Sequence, residues 1–98
     1  MKKQISKTTA KATVTFSISA ELLNGAKKAS VAGEFNGWNP EANPFRMSKG
    51  VGSAKVELEK GKEYQYKFVI NGEKWVNDPE ADKQVGNEFG ETNSVVVL

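Results

Sequence analysis

Residues 64–76 read Tyr64-Gln65-Tyr66-Lys67-Phe68-Val69-Ile70-Asn71-Gly72-Glu73-Lys74-Trp75-Val76. Tyr64, Tyr66, Phe68 and Ile70 alternate with Gln65, Lys67 and Val69, so a strand here carries four large apolar groups on one face. Asn71-Gly72 follows. A type I′ turn needs positive φ at both central positions, and Asn-Gly meets that demand at low cost. Trp75-Val76 then returns. The stretch predicts a β-hairpin that brings Trp75 back near Lys67, on the outward side of the first strand.

The same period of two recurs on both sides. Ala12, Val14, Phe16 and Ile18 alternate with Thr13, Thr15 and Ser17; Ala54, Val56 and Leu58 alternate with Lys55, Glu57 and Glu59. Ala29 to Ala32 reads as a short strand ended by Gly33, Phe45 and Met47 as another, and Val95 to Leu98 as the last. Turn dipeptides separate them: Asn24-Gly25, Asn36-Gly37, Asn39-Pro40, Asn43-Pro44 and Lys60-Gly61. Asn77 to Thr92 is polar, contains Asp78-Pro79 and two glycines, and reads as an ordered loop. No helical period is sustained. About seven short strands in 98 residues predict one all-β domain, an antiparallel β-sandwich over residues 12–98. Residues 1–11 carry Lys2, Lys3, Lys7 and Lys11 with no acid and read as a flexible basic tail.

Charge and composition exclude several classes of function. The net charge is +2, but the four tail lysines account for more than all of it. The body is slightly acidic and is not a phosphate-binding surface, so no nucleic-acid partner is expected. No apolar run suits a signal peptide or a membrane span. With no cysteine as well, which suits a reducing compartment, the expectation is a cytoplasmic protein without a membrane partner. The absence of histidine and cysteine removes the common nucleophile–base pairs, imidazole metal sites and thiolate metal sites. The remaining option is a carboxylate pair, which needs a cleft to raise one pKa. Here the acids fall on outward strand positions (Glu57, Glu59) or turns (Glu34, Glu41). Gly86 to Gly90 lacks the Lys-Ser/Thr and helix of a phosphate loop, and Asp78 and Asp82 are too sparse for a calcium loop. The expectation is no catalysis, no cofactor and no metal.

Trp38 and Trp75 stand apart from the alternating core runs. Trp38 lies in the turn-rich Glu34-Phe35-Asn36-Gly37-Trp38-Asn39-Pro40, and Trp75 follows the Asn-Gly turn. One reading has each indole pack over a core edge. The other makes them stacking platforms, since a pyranose offers a flat patch of C–H bonds to an indole face and its hydroxyls take amide and ammonium partners.

Val31-Ala32-Gly33-Glu34-Phe35-Asn36-Gly37-Trp38 resembles the Gly-x-Phe-Asn-x-Trp signature of the family 48 carbohydrate-binding modules. These include the glycogen-binding domain of the AMP-activated protein kinase β subunit and the early set N-terminal domains of isoamylases and branching enzymes. Tyr64-Gln65-Tyr66-Lys67-Phe68, Asn71-Gly72-Glu73-Lys74-Trp75, Asn77-Asp78-Pro79 and Phe89-Gly90-Glu91-Thr92-Asn93 resemble its other segments in the same order, over residues 12–98. The resemblance implies an immunoglobulin-like sandwich of the early set type that binds α-1,4-glucan such as glycogen, starch or maltooligosaccharide. It implies Trp38 and Trp75 as stacking platforms and Lys67 and Asn93 as hydrogen-bonding partners of sugar hydroxyls. Phe89 stands where the kinase-subunit modules place a leucine, and Glu91 where they place a threonine; both join the expected carbohydrate-binding residues. The expected partner is an α-glucan, with the chain acting as a monomer. The alternative is a protein-interaction module of a glycogen- or starch-metabolising enzyme, with little glucan binding of its own.

Overall fold

The computed structural model describes residues 1–98. The strands in chain order are β1 (Lys2–Ile5), β2 (Lys11–Ile18), β3 (Ala29–Gly33), β4 (Asn43–Pro44), β5 (Arg46–Ser48), β6 (Val51–Glu59), β7 (Glu63–Ile70), β8 (Lys74–Val76), β9 (Lys83–Gly86) and β10 (Thr92–Val97). One helical turn, α1 (Ala20–Leu23), and a single 3-10 turn over Glu34–Asn36 complete the chain. One sheet runs β1-β2-β6-β5; the other runs β4-β3-β7-β10-β9, with β8 also paired to β7. Every pairing is antiparallel. The two sheets form the expected all-β sandwich, with ten strands rather than about seven.

The core lies between the sheets, and the alternation explains it. Val14, Phe16 and Ile18 of β2 and Ala54, Val56 and Leu58 of β6 point inward, and all are buried. Tyr66, Phe68 and Ile70 of β7 and Val96 of β10 meet them from the other side. Phe16 sits at the centre. Its ring lies 4.8 Å from that of Tyr66, and Phe68 meets it edge-on at 6.5 Å, the geometries that aromatic quadrupoles favour.

Four elements depart from the expectation. Residues 2–5 are no flexible tail: they pair with β2 from Lys2 opposite Thr15 to Ile5 opposite Ala12, and the Lys3 ammonium reaches the Asp82 carboxylate at 2.6 Å. Lysine suits such an edge strand because its charge keeps other chains off the free edge. The Phe45 region is two strands. β4 pairs with β3 and β5 with β6, so the chain changes sheets at Phe45, whose buried ring stands edge-on to Phe68 at 5.0 Å. Third, β9 lies inside the segment expected to be loop. It is an edge strand with one apolar residue, Val85, and therefore carries no alternation. Lastly, α1 begins where the Ser19 hydroxyl accepts the Leu22 N–H, and it ends at Asn24 with φ 47°. No helix is long and apolar enough to cross a membrane.

Candidate functional site

The site begins where β3 ends. A Cβ on Gly33 would sit 2.7 Å from the Gln65 carbonyl oxygen and 2.8 Å from Tyr66 Cβ and the Phe35 ring, so only glycine lets β3 run this close to β7. The chain then makes its 3-10 turn. Asn36 ties that turn shut: its Oδ1 accepts the Gly33 N–H at 3.0 Å, while its Nδ2 donates to the Val31 carbonyl at 2.9 Å and to Asn43 Oδ1 at 2.7 Å. The Phe35 ring stacks 6.0 Å from Phe16 and so pins the turn to the core. Gly37 and Trp38 both take positive φ, 67° and 61°. Glycine does so freely. A bulky side chain does so at a cost of about 1–3 kcal/mol, sustained when the surroundings over-determine it. Here the Trp38 N–H closes back onto the Gly33 carbonyl at 2.9 Å. Strain of this kind at a half-buried tryptophan holds the indole outward, where it lines a groove.

Trp75 arrives by the hairpin. Asn71 and Gly72 have φ of 55° and 73°, and the Glu73 N–H donates to the Ile70 carbonyl, which is the type I′ geometry. Trp75 pairs with Val69 in the register. Paired residues share a face, so the indole stands on the side of β7 that carries Val69, Lys67 and Gln65. Trp75 is 41% exposed, whereas Val69 beneath that face is fully buried.

β7 and β10 make the floor. Lys67 is only 8% exposed and Asn93 9%, although both point away from the core. Asn93 Nδ2 donates to Gln65 Oε1 at 2.9 Å and its Oδ1 accepts from Asn87 Nδ2 at 3.1 Å. The Lys67 ammonium lies 3.4 Å from Glu91 Oε1. The far wall is the loop between β9 and β10. Asn87 organises it: its Oδ1 accepts the Phe89 and Glu91 N–H groups, and its own N–H donates to the Glu91 carbonyl at 2.9 Å. Phe89 stands at the tip, 79% exposed.

A second network lies beneath this floor. The buried Tyr66 hydroxyl donates to Asp78 Oδ2 at 2.6 Å, and the Asp78 N–H donates to Ser94 Oγ at 2.8 Å. Asn77 Nδ2 reaches Thr92 Oγ1 at 2.8 Å. Burial, and then the Asp78 carboxylate that its proton satisfies, push the Tyr66 phenol far above its usual range. The Asn77-Asp78-Pro79 segment therefore braces β10 against the hairpin that carries Trp75. No buried side-chain polar atom lacks a partner.

All six residues expected from the sequence, Trp38, Lys67, Trp75, Phe89, Glu91 and Asn93, line one open groove of about 770 Å³. Its wall also includes Glu34, Gln65, Asn87 and Glu88, which the sequence reading did not select. Gln65 was within reach, since it lies two residues before Lys67 on the same face. Asn87 carries only the weak signal of an Asx turn in a glycine-bearing loop. The groove offers indole and phenyl faces with amide, ammonium and carboxylate groups between them. It suits a ligand with flat C–H patches and many hydroxyls. No group of three or more acidic, histidine or cysteine side chains is placed to hold a metal ion.

The comparisons with known proteins come to one family. No curated protein matches the chain. Residues 16–98 match the profile of the family described as the glycogen recognition site of AMP-activated protein kinase, which takes in every groove residue and every strand from β3 to β10. On that match across most of its length, the chain belongs to the glycogen-recognition family of carbohydrate-binding domains.

Proposed function

We propose that the protein binds α-1,4-linked glucan, as glycogen, starch or maltooligosaccharide, by stacking sugar rings on Trp38 and Trp75, and that it catalyses no reaction. The observation that carries this reading is the convergence of both indoles, on separate elements, over a floor of Lys67 and Asn93. The family described as a glycogen recognition site supports it. The strained backbone at Trp38 supports it too, because a turn held at positive φ around a tryptophan aims that side chain. Lys67 donates to sugar hydroxyls, Asn93 donates and accepts, and the exposed Phe89 ring adds a third apolar surface. Aromatic stacking contacts contribute roughly 1–3 kcal/mol each. A two-indole site therefore binds a single short chain in the high-micromolar to millimolar range. A polymer presenting many sites raises the effective affinity.

The test is retention on immobilised glycogen or amylose. Trp38→Ala and Trp75→Ala each lose retention while unfolding cooperatively like the parent. Two variants that are retained like the parent contradict the groove assignment.

A second reading has one specific observation behind it. Phe89 is almost fully exposed and neighbours β9, an edge strand with one unpaired side. Such an edge accepts a strand from a partner, here a glycogen- or starch-metabolising enzyme. Co-purification of such an enzyme, with no response of tryptophan fluorescence to maltoheptaose, favours that reading. Under either reading we place the protein in the cytoplasm as a monomer, on a cysteine-free composition that suits a reducing compartment.

A further inference from the structure

We infer that Glu91 sets the charge specificity of the groove: by holding the Lys67 ammonium it reserves the site for uncharged glucan and excludes chains that carry phosphate monoesters. The inference rests on the glucan-binding reading above and adds to it the class of glucan accepted.

Lys67 is the one cation among the residues that line the groove. Left free, a nearly buried ammonium on the floor of an aromatic cleft would attract an anionic group on a sugar, because charges out of water are poorly screened. It is not free. Glu91 Oε1 lies 3.4 Å from it, with the lysine side chain 11% exposed and the glutamate 68%. Glu91 thus stands at the mouth of the groove and reaches inward to the floor. Its backbone is fixed on both sides: the Glu91 N–H donates to Asn87 Oδ1 at 3.1 Å and the Glu91 carbonyl accepts the Asn87 N–H at 2.9 Å. The carboxylate can rotate but cannot leave the rim. The pair cancels the ammonium as a point charge while leaving its remaining N–H groups to donate to hydroxyls. The two other ionisable groups of the wall, Glu34 and Glu88, are carboxylates as well. An approaching phosphate therefore meets one ion pair and two further carboxylates, a like-charge encounter that costs affinity. A neutral glucan meets hydroxyl partners and no net repulsion.

The experiment compares maltoheptaose with a phosphate-monoester-bearing maltooligosaccharide of similar length. Both are titrated into the parent, Glu91→Gln and Glu57→Gln, at low salt and at about 0.5 M salt, where screening reaches only a few ångströms. The readout is the ratio of the two dissociation constants. At low salt the parent favours maltoheptaose by about tenfold or more, and the ratio shrinks toward one at high salt. Glu91→Gln frees the ammonium and lowers the low-salt ratio at least severalfold; Glu91→Thr does the same by a shorter side chain. Glu57→Gln removes an equal charge from the outer face of the other sheet and leaves the ratio unchanged. Equal affinities in the parent at low salt overturn the inference, as does a ratio that neither Glu91 variant moves. Maltoheptaose that binds without discrimination sinks this inference alone, whereas maltoheptaose that fails to bind the parent sinks the glucan-binding reading beneath it.

Discussion

Consecutive strands β6 and β7 lie in different sheets, and their outer faces differ. Along β6 burial alternates without a break from Val51 to Glu59, with Ser53, Lys55, Glu57 and Glu59 in solvent. Along β7 the alternation stops at Tyr66, and every residue from there to Ile70 is buried, Lys67 and Val69 included. Both strands have one face in the core, and only β7 has its other face roofed. The roof is made of the Trp38 turn, the Trp75 hairpin and the Phe89 loop. A solvated sheet face needs no such cover. Covering Lys67 costs the hydration of an ammonium, and the molecule accepts that cost where the aromatics gather. The contrast sets the two sheets apart: one leaves its outer face in solvent, and the other has its outer face covered by the elements that line the groove.

The largest way to break the contrast is to strip the roof. Trp38→Ala combined with Trp75→Ala removes two contacts of roughly 1–3 kcal/mol each, and binding to glycogen and maltoheptaose disappears in affinity electrophoresis. Lys55→Ala with Glu57→Ala on β6 leaves binding at the parent level.

Next in size is the close approach beneath Trp38. Gly33→Ala drives a Cβ into the Gln65 carbonyl and the Tyr66 and Phe35 side chains. Overpacking of this kind costs about 1–3 kcal/mol, read as a lower urea midpoint, and glucan retention falls with it because the turn that aims Trp38 moves. Gly86→Ala meets open space and leaves stability within about 0.5 kcal/mol of the parent.

The brace under the floor comes third. Tyr66→Phe leaves the buried Asp78 carboxylate without its hydroxyl donor. The loss is about 1–3 kcal/mol of stability in urea denaturation, with a smaller effect on binding.

How much of this was legible follows the same division. Strands β2, β6 and β7 were plain in the sequence because each has one apolar and one polar face, and the Asn71-Gly72 turn joined β7 to Trp75. The groove residues were legible as a set only because their motifs resemble a known family. Alternation placed Lys67 outward, and outward was right, but it also suggested solvent, whereas Lys67 is buried. Burial on that face comes from residues distant in sequence, Trp38 and Glu91 among them, and no local pattern carries it. Two strands escaped the reading for a related reason. β1 and β9 are edge strands held mainly by backbone pairing and by polar contacts such as Lys3 with Asp82, so their side chains show no alternation. The positive φ at Trp38 has no local signature, since tryptophan is not a residue that favours the left-handed region.

Two smaller effects sharpen the comparison at its margins. Burial raises the pKa of Asp82, but the Lys3 ammonium and the Val97 N–H outweigh it and hold the carboxyl below its ordinary 3.8. Its contribution is therefore complete above that value and is lost as pH falls through the lower folded-state value. Protection of the β1 amides relative to their intrinsic exchange rates falls below about pH 4 before that of the core strands, and Asp82→Asn shows the lower protection already at neutral pH. The smallest effect is at the ion pair of Lys62 with Glu59, at the end of β6. It lies fully in solvent, where such pairs contribute little. Lys62→Gln leaves the urea midpoint within its scatter, in contrast with the pair of Lys67 and Glu91, whose lysine is covered.

The most direct test of the central claim is a titration of ¹⁵N-labelled protein with maltoheptaose to millimolar concentration. The account predicts shifts of both indole N–H signals, of the Lys67 and Asn93 amides and of the 87–91 loop, with Ser53 to Glu57 on β6 unmoved. Unmoved indoles, or shifts confined to the outer face of β6, contradict it.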